Sequence, residues 1–226
     1  MVSMLALSTD EKVQRDVLDE LHWDPQIKDM DIGVEIDDGV VTLLGFVSDC
    51  RKRRLAAEAA LRVYGVRGLV NDIEVKTASS YERSDTDIAL AAGQAIEWDA
   101  TIPDGRVEVR CSGAWIILEG TVDYFFQKRA AEYAVEGLVG VRGVTNLIQI
   151  EPEETPSLPF ERQDQIERAF ARNAEIDARR ITVSVDDSHV TLSGNVRSWA
   201  ESHEAAATAW STPGVKSVVN DLNVQP

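Results

Sequence analysis

Three short stretches of the chain alternate apolar and polar residues with a period of two. They carry Ile32, Val34 and Ile36, then Val107, Val109 and Cys111, then Ile181, Val183 and Val185. This period predicts half-buried strands. Each stretch follows one whose apolar residues recur at helical spacing. In the first these are Val13, Val17, Leu18 and Leu21, with Thr9 as a start signal and acidic residues behind it. In the second they are Ile88, Ala91, Ala92 and Ile96. The third has a weaker stripe of Ile166, Ala169, Phe170 and Asn173. After each strand comes a tight turn: Asp37-Asp38-Gly39, Ser112-Gly113 or Asp186-Asp187-Ser188. Asp and Gly tolerate the positive φ that hairpin turns need. A second strand, an alanine-rich helix and a last strand complete each stretch. The last strands are expected from Leu69 to Val75, Val144 to Ile150 and Val218 to Val224. The predicted order is αββαβ, three times over. The expected class is α+β, each module a small three-stranded mixed sheet with two helices packed on one face.

Self-comparison supports the same division. The second strand ends in Val-Thr-Leu-Leu-Gly-Phe-Val at 41–47, Trp-Ile-Ile-Leu-Glu-Gly-Thr-Val at 115–122 and Val-Thr-Leu-Ser-Gly-Asn-Val at 190–196. Its glycines are Gly45, Gly120 and Gly194. A second anchor reads Gly-Val-Arg-Gly-Leu-Val-Asn at 65–71, Gly-Val-Arg-Gly-Val-Thr-Asn at 140–146 and Gly-Val-Lys-Ser-Val-Val-Asn at 214–220. Gly65, Gly140 and Gly214 read as helix stops. The repeats are placed at 9–76, 84–151 and 161–225. Matching loops with Pro25 and Pro103 follow the first helix in copies one and two. Counted from Asp177 to Ile181, the third loop is about four residues shorter. The linker Thr77-Ala78-Ser79-Ser80 is small and polar. The stretch from Glu151 to Pro159 is acidic and proline-rich, hence stiffer.

These strand ends, the alanine-rich helix and the Gly-Val-(Arg/Lys)-x-Val-x-Asn turn resemble the BON domain. Leu21-His22-Trp23-Asp24-Pro25 adds to the likeness, which runs from about Thr9 to Val224. The resemblance implies an envelope- or stress-associated module that binds phospholipid or makes protein contacts. It brings no catalytic residue and no cofactor. Many members of the family are exported. Here Met1 to Asp10 shows no basic region and only a short apolar run, so no signal peptide is read. No stretch approaches the roughly 18 apolar residues of a spanning helix. The expectation is a cytoplasmic protein, peripheral to a membrane if it meets one.

Charge narrows the partners. The formal net charge of −16 opposes nucleic-acid binding and broad contact with anionic membranes. It leaves room for a local basic patch. Arg51, Lys52, Arg53 and Arg54 open the second helix of the first repeat. Their counterparts are Phe126-Gln127-Lys128-Arg129 and Ala200-Glu201-Ser202-His203. The run reads either as a site for phospholipid headgroups or an acidic partner, or as a solvated helix face.

Tyr124-Phe125-Phe126 occupies the same place in the second repeat. Trp199 and Cys50 stand where Phe125 stands. One core ring per copy is the plainer reading of that position. Tyr124 and Phe126 are candidates for partner contact, with Phe126 the ring expected outside. Trp23 and Trp98, with Ile176 as third counterpart, are expected in the core.

The remaining chemistry is sparse. Cys50 and Cys111 form no C-x-x-C pair and read as free structural thiols. His22, His189 and His203 show no metal-ligand spacing. The Asp37-Asp38 and Asp186-Asp187 pairs are explained by turn chemistry, with too few oxygens for calcium. No nucleophile or phosphate-loop motif occurs. The chain therefore reads as a non-catalytic binding module, whose three weak sites add through effective concentration. The alternative is a protein-interaction scaffold or stress-protection protein with no lipid binding.

Overall fold

A computed structural model describes residues 9–27, 31–77, 82–152 and 158–225. The N-terminal stretch and most of both linkers (78–81 and 153–157) lie outside the described residues. The first repeat contains α1 (Thr9–Trp23), β1 (Ile32–Asp37), β2 (Val40–Val47), α2 (Cys50–Arg62) and β3 (Gly68–Val75). The second contains α3 (Asp85–Trp98), β4 (Val107–Ser112), β5 (Trp115–Val122), α4 (Phe125–Glu136), β6 (Gly143–Asn146) and β7 (Gln149–Ile150). The third contains α5 (Pro159–Arg172), β8 (Ile181–Asp186), β9 (His189–Val196), α6 (Trp199–Trp210) and β10 (Ser217–Val224).

Each hairpin is antiparallel, and each last strand returns through a helix to lie parallel to the second strand. A helical crossover permits a parallel neighbour where a tight turn does not. The sheets are therefore mixed and α+β. One face of each sheet is buried: Val34, Val41, Leu43 and Val47 in the first, Ile116, Leu118 and Val122 in the second. Both helices cover that face, since the alternate residues remain half-buried or exposed. The last strand of the second repeat differs from the expected single strand. It is split into β6 and β7, with Leu147 and Ile148 between them.

The repeated anchors have physical causes. At Gly45, Gly120 and Gly194 φ is 123°, 131° and 123°. A Cβ there would lie 2.2, 2.0 and 2.1 Å from the carbonyl oxygens of Asp31, Arg106 and Arg180. Only glycine lets the second strand pass that close to the start of the first. The asparagine of the second anchor ties helix to sheet in all three copies. Asn71 Nδ2 donates to the Arg53 carbonyl at 3.1 Å, Asn146 to Lys128 at 2.8 Å and Asn220 to Ser202 at 3.5 Å. Their Oδ1 atoms accept from the amides of Ile73, Ile148 and Leu222.

A carboxylate at the start of the first helix holds the hairpin turn. Asp10 accepts from the amides of Asp38 and Gly39, and Asp85 from those of Gly113 and Ala114. In the third copy Pro159 stands in that place. Arg162, at the core position of Val13 and Ile88, donates instead to the Asp187 carbonyl at 2.6 Å.

Two expectations about the third copy are corrected together. Its first helix ends at Arg172, and Asn173 takes the place of Asp24 and Asp99. Each of these three accepts the amide two residues ahead at 2.9 Å. Asp24 to Ile32, Asp99 to Val107 and Asn173 to Ile181 are then equal in length, so the third loop is not shorter. The buried counterparts of Ile176 are Ile27 and Ile102, and the counterpart of the two tryptophans is Arg172. Trp23 and Trp98 are not core residues: they are 83% and 87% exposed. Each lies two residues beyond the buried stripe position (Leu21 or Ile96), about 200° round the helix.

Replacing Asn146 by Ala is expected to destabilise the protein by about 2 kcal/mol, because it strips partners from two backbone groups at once. Urea unfolding measures this. A loss below about 0.5 kcal/mol, the scale of an ordinary surface substitution, would show that the asparagine does not hold the helix.

Candidate functional site where the second helices meet

The second helices α2, α4 and α6 come together, each leaning its first residue on another repeat. Cys50 of α2 packs against the core of the second repeat. Phe125 of α4 stacks on Trp210 of α6, ring centroids 4.3 Å apart and 9° from parallel. Trp199 of α6 packs against the core of the first repeat as well as its own. The one-ring-per-copy position thus joins the repeats in a cycle: first to second, second to third, third to first.

Local capping starts these helices differently. Asp49 accepts from the Lys52 amide, and Ser198 from that of Glu201. In the second repeat Gln127 reaches back to the amides of Asp123 and Tyr124. All three devices satisfy donors that a helix start leaves unpaired.

Arg54 supplies the polar part of the junction. Its Nη2 lies 2.6 Å from Glu136 Oε1, and its Nε lies 2.8 and 3.0 Å from the two oxygens of that carboxylate. Nη1 meets Glu58 at 2.7 Å, and the guanidinium lies over the Tyr133 ring, 4.4 Å from its centroid. Glu136 is buried. Burial works against the Arg54 charge, yet the hydrogen bonds and charges of Glu136 and Glu58 hold it firmly protonated. Arg54, Arg129 and His203 hold the same position in the three helices. Together they border an open cleft of about 280 Å³ with Glu58, Glu132 and Trp210. The sequence alignment contained this correspondence, but nothing in it showed that the three positions converge.

The basic run is therefore dispersed. Arg51 donates to the Gln26 amide oxygen at 3.1 Å. Lys52 donates to Ser48 and lies 3.5 Å from Asp49. Arg53 donates to the Asn71 carbonyl at 3.3 Å. Four consecutive helical residues point around most of the helix circumference: Arg54 enters the polar junction, and the Arg51 stem runs past Gly137 of the second repeat. Tyr124 and Phe126 stack on each other at 5.6 Å and are both exposed. Burial, then Glu136, pushes the Cys50 thiol up, while burial and Asp85 push Cys111 up to about 11. Thiols so raised are poor nucleophiles at neutral pH. Among the described residues no His, Cys, Asp or Glu cluster could hold a metal ion, and no helix is long and apolar enough to cross a membrane.

The sequence profile of the BON domain matches residues 9–77, 84–152 and 160–226. The chain belongs to the BON domain family. This BON protein is 31% identical over 124 residues to the osmotically-inducible protein Y of Escherichia coli (strain K12). That match spans 53% of this chain and 62% of the relative, less than two thirds of the relative's length. Two solved structures of CdsD, a structural protein of the type III secretion system of Chlamydia trachomatis, match at 10% identity with a TM-score of 0.27. They cover 95% and 94% of this chain, and 93% and 96% of their own. A superposition that loose supports no comparison of arrangement.

Replacing Arg54 by Ala strands the buried Glu136 charge and is expected to cost about 3 kcal/mol. The double replacement of Arg54 and Glu136 by Met and Leu should recover most of that. Equal losses in both variants, measured by urea denaturation, would show that the ion pair does not couple the repeats.

Proposed function

We propose that this BON protein is a non-catalytic docking protein, three repeats joined into one body that engages a protein partner through outward-facing aromatic side chains. One observation carries the reading. The basic run that would attract anionic headgroups is engaged within the fold, whereas Trp23 and Trp98 stand in solvent. Large exposed aromatics are the usual energetic anchors of protein interfaces. The net charge of −16 keeps such a surface away from anionic bilayers. Similarity to an osmotically-inducible protein supports a role in stress.

A second reading is favoured by Arg51 and Arg53. Their hydrogen-bond partners, the Gln26 side-chain oxygen and the Asn71 carbonyl, are neutral, so neither charge is paired by them. Arg51, Lys52 and Arg53, without Arg54, would then meet phospholipid headgroups.

Liposome co-sedimentation with neutral and anionic vesicles at low and moderate salt separates the two. The docking reading expects no binding to either. Salt-sensitive binding to anionic vesicles, abolished when Arg51, Lys52 and Arg53 become Glu, would replace it by the headgroup reading.

A further inference from the structure

We infer that the C-terminal ends of α1 and α3 are paired docking points for a basic segment of a partner protein, with Trp23 and Trp98 receiving its lysine or arginine side chains. The inference rests on the docking reading and names the chemistry of the partner.

Among the described residues Trp23 and Trp98 are the most exposed large apolar side chains. They occupy the same place in two repeats: the last residue of the first helix. That place is electrically negative for three reasons. A helix C-terminus carries the negative end of the macrodipole. Acidic side chains outnumber basic ones beside it: Asp19, exposed one turn before Trp23, adds to Glu20 and Asp24, which share the Arg62 cation, while Glu97 and Asp99 stand on either side of Trp98. Hydrogen bonds from Thr101 hold the Asp99 carboxyl below its ordinary range, so it stays ionised. Finally, in the second repeat α3 has no Lys or Arg to offset Glu97. An indole face in a negative field attracts a cation through its quadrupole. It gains nothing from an anionic surface.

The third repeat supports this assignment from inside the chain. Where the first two copies carry tryptophan, α5 ends in Arg172. The chain itself places a cation at the negative end of that helix. The first and second repeats present the aromatic receptor there instead. Two such points on one body favour a partner bearing basic residues at two places, since binding at one raises the effective concentration at the other.

The test uses the full chain and two labelled probes of equal length, an alternating arginine–serine peptide and its glutamate–serine counterpart. Indole Nε1–H signals are followed by NMR. Only the basic peptide is expected to shift the Trp23 and Trp98 signals, and moderate salt should weaken its binding. Replacing both tryptophans by Ser leaves the net charge unchanged and is expected to reduce affinity at least tenfold. Circular dichroism confirms that the fold is retained. Replacing Asp19 by Asn and Glu97 by Gln is expected to reduce affinity severalfold with the indoles intact. Undiminished binding by the double Ser variant would overturn the inference, because charge alone would then explain it. No shift with the basic peptide, in a protein that also ignores anionic vesicles, would overturn it while leaving the docking reading standing. Indole shifts on anionic vesicles would remove both.

Discussion

The arrangement depends on one residue position, the first of each second helix, whose side chain reaches into another repeat. A module of this size buries too little surface to be comfortable alone. Cys50, Phe125 and Trp199 extend each core into another repeat, and the cycle closes because the third repeat returns to the first. The position tolerates a thiol, a phenyl ring and an indole because the neighbouring surface differs each time. Trp210 receives Phe125 as a parallel ring, whereas Cys50 slips beside α4 near Glu136.

That closure governs the electrostatics. Arg54 faces Glu136 across the junction of the first two repeats, and its pairing with Glu58 and Tyr133 extends a network that is buried at Glu136 and opens on the cleft at Glu58. Breaking such a network is far more costly than an exposed ion pair would suggest, because a stranded buried charge has no water to turn to. The residue that looks most like one of four surface cations is thus a structural link. Its three neighbours serve a helix cap, a strand carbonyl and a loop amide.

With its basic run engaged, the protein meets its surroundings as an acidic body studded with aromatic rings. Trp23, Trp98, Tyr124 and Phe126 are exposed, and among the described residues no cation lies over any of these rings. Apolar contact and negative potential act in the same direction at the ends of α1 and α3. On the docking proposal they would discriminate in favour of basic protein surfaces and against anionic lipid.

The repeat unit, its element order and its class are legible in the amino-acid pattern alone. These rest on local causes that recur three times: period-two strands, alanine-rich helices, glycines where a Cβ would strike a carbonyl, and an asparagine that binds helix to strand. Register inside the third copy was harder to read, because Asp177 imitates the loop-opening acid that Asn173 actually replaces. Correct register identifies Ile27, Ile102 and Ile176 as one buried position and leaves the two tryptophans on the opposite face. Trp23 lies two residues past the buried Leu21 on a helix, an offset that itself points it away from the core. The meeting of the second helices, and with it the surroundings of Arg54, Phe125 and Trp199, emerges only once the repeats are packed together. The physical reason is that local periodicity records which side of an element is buried, whereas the identity of the covering surface depends on where distant repeats dock.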